Sequence, residues 1–190
     1  GGAGDDTIDG GTGGDTLTGG AGDDDFVVNG TNTGDITDFD FGTDGSGSGD
    51  ANVDQLDISG LTFATGGNIS RENDVLLQSD GAFKNTDTDN SGASGTTVNE
   101  AEKVVVLDGN TFDAAGADGA ISMLGNNHSD QVFAIYQDGL GNVRFGVDTD
   151  AGNDGGGSEF TNLGTLDNEA GDLGITGIAN AIDSDDFIFS

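Results

Sequence analysis

The first 27 residues divide without a gap into three nine-residue units, "GGAGDDTID", "GGTGGDTLT" and "GGAGDDDFV". Gly stands at positions one, two and four of each unit, Asp at position six, and Ile8, Leu17 and Phe26 at position eight. Repetition at so short a period outranks any local propensity, because a unit with one apolar residue cannot bury it alone and has to stack on its neighbours. Glycine permits positive φ and close backbone approach, so the first six residues of a unit can make a tight turn with inward carbonyls. The last three then form a short strand with its middle residue inward and its neighbours outward. Stacked as half-turns of a flattened parallel coil, units one and three lie over each other. Asp6 and Asp24 thereby fall on one edge, while Asp15 falls on the opposite edge, beside a unit before Gly1 or the irregular chain after Val27.

The pattern G-G-x-G-x-D-x-U-x resembles the calcium-binding nonapeptide of the RTX (repeats-in-toxin) family. The resemblance implies a parallel β-roll over residues 1–28 in which Gly2, Gly4, Asp6, Gly11, Gly13, Asp15, Gly20, Gly22 and Asp24 serve calcium. Carboxylates and carbonyls are the usual partners of that ion, which takes six to eight oxygens. The competing reading of a Gly/Asp-rich stretch is a flexible linker. Three in-phase repeats with the apolar position kept argue for the ion, which then takes the place of a core. Without it, close carboxylates repel and the glycines gain backbone entropy on unfolding; with it, binding energy becomes folding energy.

Charge points the same way. The 190-residue chain has 36 acidic and 4 basic side chains, a formal charge of −32. Nucleic acid is excluded as a partner, since phosphate binding needs clustered Lys and Arg. Cations are favoured. A disordered acidic tail or a surface suited to salty water would also be acidic, but eleven Phe and the runs "EKVVVL" and "DQVFAIY" argue for a folded chain. No Cys is present to brace it, and no apolar run approaches the roughly 20 residues of a membrane span. The chain starts without Met and in phase with the repeat, so it is expected to be the C-terminal piece of a longer protein.

After Val28 the period is lost and residues 29–190 read as a β-rich, sandwich-like domain with long polar loops, giving an all-β chain overall. Ile36, Phe39 and Phe41, then Val53, Leu56 and Ile58, suggest two strands joined by "GTDGSGSGDAN". Further strands are expected at Val75–Leu77, Val104–Leu107, Val132–Tyr136 and Val143–Val147. The last two form a hairpin through "QDGLGN", and short helices are expected in "NTFDAAGADGAISMLG" and near "ITGIANAI". The segment also resembles the stretch that follows the repeats in many RTX proteins, an "I-x-D-F" strand and then "D-x-L-D-hydrophobic-S". Asp38, Asp54 and Asp57 occupy its acidic positions as further calcium candidates, although an exposed Asp beside a turn is common.

Two more loops carry partial calcium spacing. "DTDNSG" offers Asp87, Asp89 and Ser91 at positions one, three and five with Gly92 at six, but Val98 stands at twelve, so this is no true EF-hand. "DTDAGND" places Asp148, Asp150 and Asp154 after a strand. A solvated loop is the alternative for both. Catalysis has little support: His128 is the single histidine, and no nucleophile motif accompanies it. Two outward threonines, Thr7 and Thr16, do not make an ice-binding row.

The ending "AIDSDDFIFS" resembles the uncleaved C-terminal signal of RTX proteins exported by bacterial type I systems, although it closes on Ser190. The alternative is a final β-strand packed on the domain, and the two are compatible. Together these resemblances imply a non-enzymatic module, secreted or held at the cell surface, whose partners are calcium ions, the type I machinery and, through calcium-dependent assembly, itself. The parent protein reads as a structural or surface-layer subunit, with a secreted protease or lipase, or a large adhesin, as alternatives.

Overall fold

The computed structural model describes residues 1–30, 33–42, 53–61, 75–79, 82–85, 104–111, 131–149, 160–168, 182 and 186–188. Among them the regular structure is strand, as the sequence leads one to expect, and no helix is long and apolar enough to cross a membrane. The repeat units make only short pieces: β1 (Gly2–Ala3), β2 (Thr7–Ile8), β3 (Thr16–Leu17), β4 (Gly20–Ala21) and β5 (Asp25–Val27). Longer strands follow where β-branched and aromatic residues concentrate. They are β6 (Asp35–Phe39), β7 (Gln55–Asp57), β8 (Val75–Ser79), β9 (Ala82–Asn85), β10 (Val104–Thr111), β11 (Val132–Gln137), β12 (Val143–Asp148), β13 (Phe160–Asn168) and β14 (Phe187–Ile188).

β2 pairs in parallel with β5, eighteen residues on, Thr7 with Asp25 and Ile8 with Phe26. The turns do the same, Gly2 with Gly20 and Ala3 with Ala21. Such pairing needs bare backbones: Gly22 has φ +133°, and a Cβ there would lie 2.5 Å from the carbonyl carbon of Gly4. Alternate strands go to different sheets. β2, β5, β7 and β14 form a four-stranded parallel sheet in the order β14-β7-β5-β2, and β3 joins β6 at one end of an eight-stranded mixed sheet, β3-β6-β13-β12-β11-β10-β8-β9. The Ile36 and Leu56 segments form the two strands expected there, β6 and β7, which lie in different sheets.

One hydrophobic cluster serves both sheets. Leu17, Phe26, Ile36, Phe39, Leu56, Phe133, Phe145, Leu166 and Phe187 all belong to it, with the Phe26 and Phe39 rings 5.9 Å apart and Phe133 and Phe145 at the same separation. The pairings Leu17 with Ile36 and Phe26 with Leu56 carry it across the end of the repeats at Val28. β11 lies in the middle of the large sheet and is buried on both faces from Val132 to Tyr136, which accounts for its unbroken apolar run.

β11 and β12 are antiparallel neighbours, joined by a turn that Asp138 organises. Its Oδ1 accepts the N–H of Leu140 (2.9 Å) and of Asn142 (3.0 Å), and its Oδ2 accepts from Asn142 Nδ2 (3.0 Å) and Arg144 Nε (2.6 Å). Of the two segments expected to hold helices, the first begins in β10 with Asn110 and Thr111, and its remaining residues lie outside the described ones; the second does so up to Ile182.

Candidate metal centre

The stacking of β2 on β5 puts the acidic turns of units one and three in register. The Asp6 N–H donates to Asp24 Oδ1 at 2.9 Å. One layer further, Asp24 N–H donates to Asp54 Oδ1 at 2.9 Å, and Asp54 Oδ2 accepts the N–H of Asp40 at 2.9 Å. Asp54 thus continues the row begun by the repeats, although thirty residues separate it from Asp24. A second row runs the other way, with Asp23 N–H on Asp5 Oδ1 (3.2 Å) and Val53 N–H on Asp23 Oδ1 (3.3 Å). Backbone bonds from Asp25 to Asp6 O and from Gln55 to Asp24 O, both 2.8 Å, lock the layers.

Asp24 is 1 % exposed, and its Oδ2 is buried without a hydrogen-bond partner. A buried, unpaired carboxylate oxygen is costly and calls for a counter-charge or a donor. Gly19 explains how it is housed: a Cβ at that position would fall on Asp24 Oδ2. Gly1 has the same relation to Asp6 Oδ2, so in units one and three the first glycine is a cradle for the carboxylate of position six, whereas a Cβ at Gly10 would meet Thr33 O, Leu17 and Asp15 Cβ instead. Sequence reading assigned roles to the second and fourth glycines and passed over the first, although its recurrence at 1, 10 and 19 was the available signal.

The opposite edge differs. Asp15 Oδ2 is also buried without a partner, but the layer above it supplies Gly34 in place of a carboxylate. The Asp35 N–H donates to Asp15 O (2.8 Å), and Thr33 and Gly34 both donate to Leu163 O. Beside this edge lies a cleft of about 210 Å³ lined by Asp15, Thr16, Asp35, Arg144 and Asn162 among others.

The later candidates separate. Asp38 Oδ1 and Oδ2 accept the N–H groups of Gly19 (2.9 Å) and Gly20 (3.0 Å), which ties its carboxylate to the turn that opens unit three. Asp57 Oδ1 accepts the Ser59 N–H at 3.0 Å. Asp148 is buried, at the end of β12 opposite Val132 and Phe160. Asp87, Asp89, Ser91, Asp150 and Asp154 lie outside the described residues. Among the described residues no three His, Cys, Asp or Glu side chains converge as a ready-made metal cage. Asp24 Oδ1 and both oxygens of Asp54 hold backbone N–H groups, whereas Asp24 Oδ2 and, on the opposite edge, Asp15 Oδ2 are buried without such a bond.

The donor set still fits a hard cation. It is made of oxygens, with carboxylates adjoining glycine-rich turns, and calcium tolerates irregular oxygen sets better than magnesium does. Asp6 and Asp24 with turn carbonyls on the first edge, and Asp15 on the second, are the residues that would hold it.

Electrostatics of the row are unfavourable without a counter-ion. Burial pushes the Asp54 carboxyl up to about 6, with the charges of Asp24 and Asp40 adding to the rise and the N–H groups of those two residues opposing it. Burial, then Asp57, Asp24, Asp23 and Asp5, raises Asp25 as well. Asp138 goes the other way: burial opposes its charge, but the Asn142 and Arg144 side chains and the Leu140 and Asn142 N–H groups hold it well below the usual range.

The linkage has opposite signs at the two ends of the acid range. Asp54 takes up its proton near pH 6 in the folded chain and near 3.8 in the unfolded one, so between those values folding binds protons and acidification stabilises. The stabilisation by ionised Asp138 is lost as pH falls below about 4 toward its depressed value. At a fixed calcium concentration that keeps the chain folded, unfolding midpoints should therefore rise from pH 7 to about pH 5 and fall below about pH 4. Asp54→Asn should flatten the first limb in a urea titration; a limb unchanged in that variant would remove Asp54 as its source.

No family model, curated protein or solved structure matches the chain.

Proposed function

We propose that the chain is a calcium-binding RTX module, its repeats forming a short parallel β-roll that folds when the ion is supplied. The observation that carries this reading is Asp24, buried on a row of stacked carboxylates with one oxygen bonded to the next turn and the other without a partner over Gly19. Calcium at the two edges would neutralise repulsion that the fold otherwise bears, and the free energy of binding would appear as stability. Site affinities of about 10⁻⁴–10⁻³ M suit an extracellular module. Type I export would then deliver an unfolded, calcium-poor chain that folds outside the cell.

The role of the whole protein is read as structural, a surface-layer, filament or matrix subunit, because the sequence beyond the repeats is long, acidic and carries no catalytic motif, and its described residues are strand-rich. Calcium titration of the protein, from chelator to about 10 mM, tests both levels. Circular dichroism should show β-structure appearing with calcium, and particle size in the same sample should grow if assembly is the function. Growth absent at full structure would return the module to a folding and export role; no response in either signal would overturn the calcium reading.

A further inference from the structure

We propose that the cleft on the second edge binds a small zwitterion, a molecule with an ammonium and a carboxylate a few bonds apart such as a free amino acid; this stands independently of the calcium reading. Asp15, Thr16 and Asp35 line it from the β3–β6 side, and Asn162 and Arg144 from the β13–β12 side. The backbone builds the cleft. β13 bulges here: Phe145 pairs with Gly164 and Gly146 with Asn162, so Leu163 is the extra residue. Bulges re-aim side chains and recur beside active sites. The Leu163 carbonyl works outside the ladder, accepting the Thr33 and Gly34 N–H groups. A Cβ at Gly164 would fall on Gly34 O, so this close approach needs bare backbone.

Arg144 is held ready in this cleft. Its Nε donates to Asp138 Oδ2 at 2.6 Å, and Asp138 is itself fixed by the Leu140 and Asn142 N–H groups and by Asn142 Nδ2. With that side anchored, the two terminal nitrogens are left for a ligand, and such a planar fork matches a carboxylate. On the facing side, Asp35 Oδ1 accepts the N–H of Thr165 at 3.1 Å, the residue paired with Arg144 in the sheet. Among the described residues the ion pair of Arg144 is the one with Asp138, so the opposite charges lining the cleft do not meet each other.

A ligand that bridges them has to carry both signs. A simple anion would face Asp15 and Asp35, and a simple cation would leave the guanidinium unused. A zwitterion puts its carboxylate on Arg144 and Asn162 and its ammonium on Asp35, with Asp15 adding to the negative wall. Size agrees, since about 210 Å³ lies below the roughly 300–1,000 Å³ of pockets for drug-sized ligands. No aromatic ring lines the cleft among the described residues, which disfavours a sugar that would stack on one.

The test is a titration of the full, isotope-labelled chain with glycine, at one calcium concentration that keeps it folded, following amide resonances by NMR. The Gly164 and Thr165 amides should shift and saturate below about 50 mM, a range suited to so few ligand atoms. Acetate and methylammonium, each with one of the two charges, should bind roughly tenfold more weakly or less, as should glycine to Asp35→Asn and Asn162→Leu, since a charge-assisted bond is lost or weakened. Asp35→Asn keeps an acceptor for Thr165, and Asn162 is exposed, so both variants should keep the unfolding midpoint of the parent; if Asp35→Asn does not, Asn162→Leu decides. No localised shift with glycine would overturn the site, as would unchanged glycine affinity in Asn162→Leu. Acetate binding as tightly as glycine would make it an anion site, and glucose shifting the same amides at lower concentration would make it a sugar site; either result would overturn the zwitterion.

Discussion

Phe26→Ala is expected to cost about 3–5 kcal/mol, the usual loss for truncating a buried aromatic, and so to remove a large part of a stability of about 5–15 kcal/mol. Phe26 is fully buried and has three tasks at once. It fills position eight of unit three, it pairs between Ile8 and Leu56 in the parallel sheet, and its ring lies 5.9 Å from that of Phe39 on β6. The cavity left by its loss would thus open between the two sheets, where neither can close on it without moving the other. Urea unfolding at saturating calcium should show a much lower midpoint with an unchanged slope. Ile8→Ala, at a half-buried position against the same cluster, should cost clearly less, and equal costs at the two positions would mean that the core is not shared.

Gly34→Ala should be strongly destabilising, at about 2–5 kcal/mol from two additive sources. Gly34 has φ +104°, where an L side chain costs about 1–2 kcal/mol. Its Cβ would also meet Asp15, with the amide nitrogen at 2.8 Å and the carbonyl carbon and oxygen nearby, and forcing atoms into packed backbone costs about 1–3 kcal/mol more. Nothing there can yield easily, because Gly34 is held by Leu163 O and Asp15 O accepts the next N–H. Gly139→Ala is the control, since a Cβ at Gly139 meets nothing within 4 Å. Comparable thermal midpoints for the two variants would show that the close approach of Gly34 to Asp15 is not a feature of the fold.

Much of this arrangement is legible in the residues themselves. A nine-residue period with one apolar position compels stacking, and two half-turns per coil place Asp6 beside Asp24. Strands at Val104–Leu107, Val132–Tyr136 and Val143–Val147 follow from runs of β-branched and aromatic residues, and the hairpin between the last two follows from "QDGLGN". These features depend on neighbours within a few residues or on strict repetition, so local chemistry suffices to find them.

Other features are not placed by local sequence. The D-x-L-D pattern singles out Asp54 as a candidate, but that Asp54 extends the acidic row depends on β7 lying against β5 across a thirty-residue interval. That Asp38 is committed to Gly19 and Gly20 depends on β6 joining β3. The buried hub at Asp138 reads in sequence as ordinary turn chemistry, because its four donors become donors only once β12 folds back. Sequence alone thus determined the period, the strand class and the oxygen-rich character of the repeat turns, since each repeats or acts over a few residues. Which later carboxylates enter the row, which lone oxygens are buried, and where Phe187 docks were decided by long-range packing of two sheets on one core, where pairing partners are chosen by shape and burial rather than by spacing along the chain.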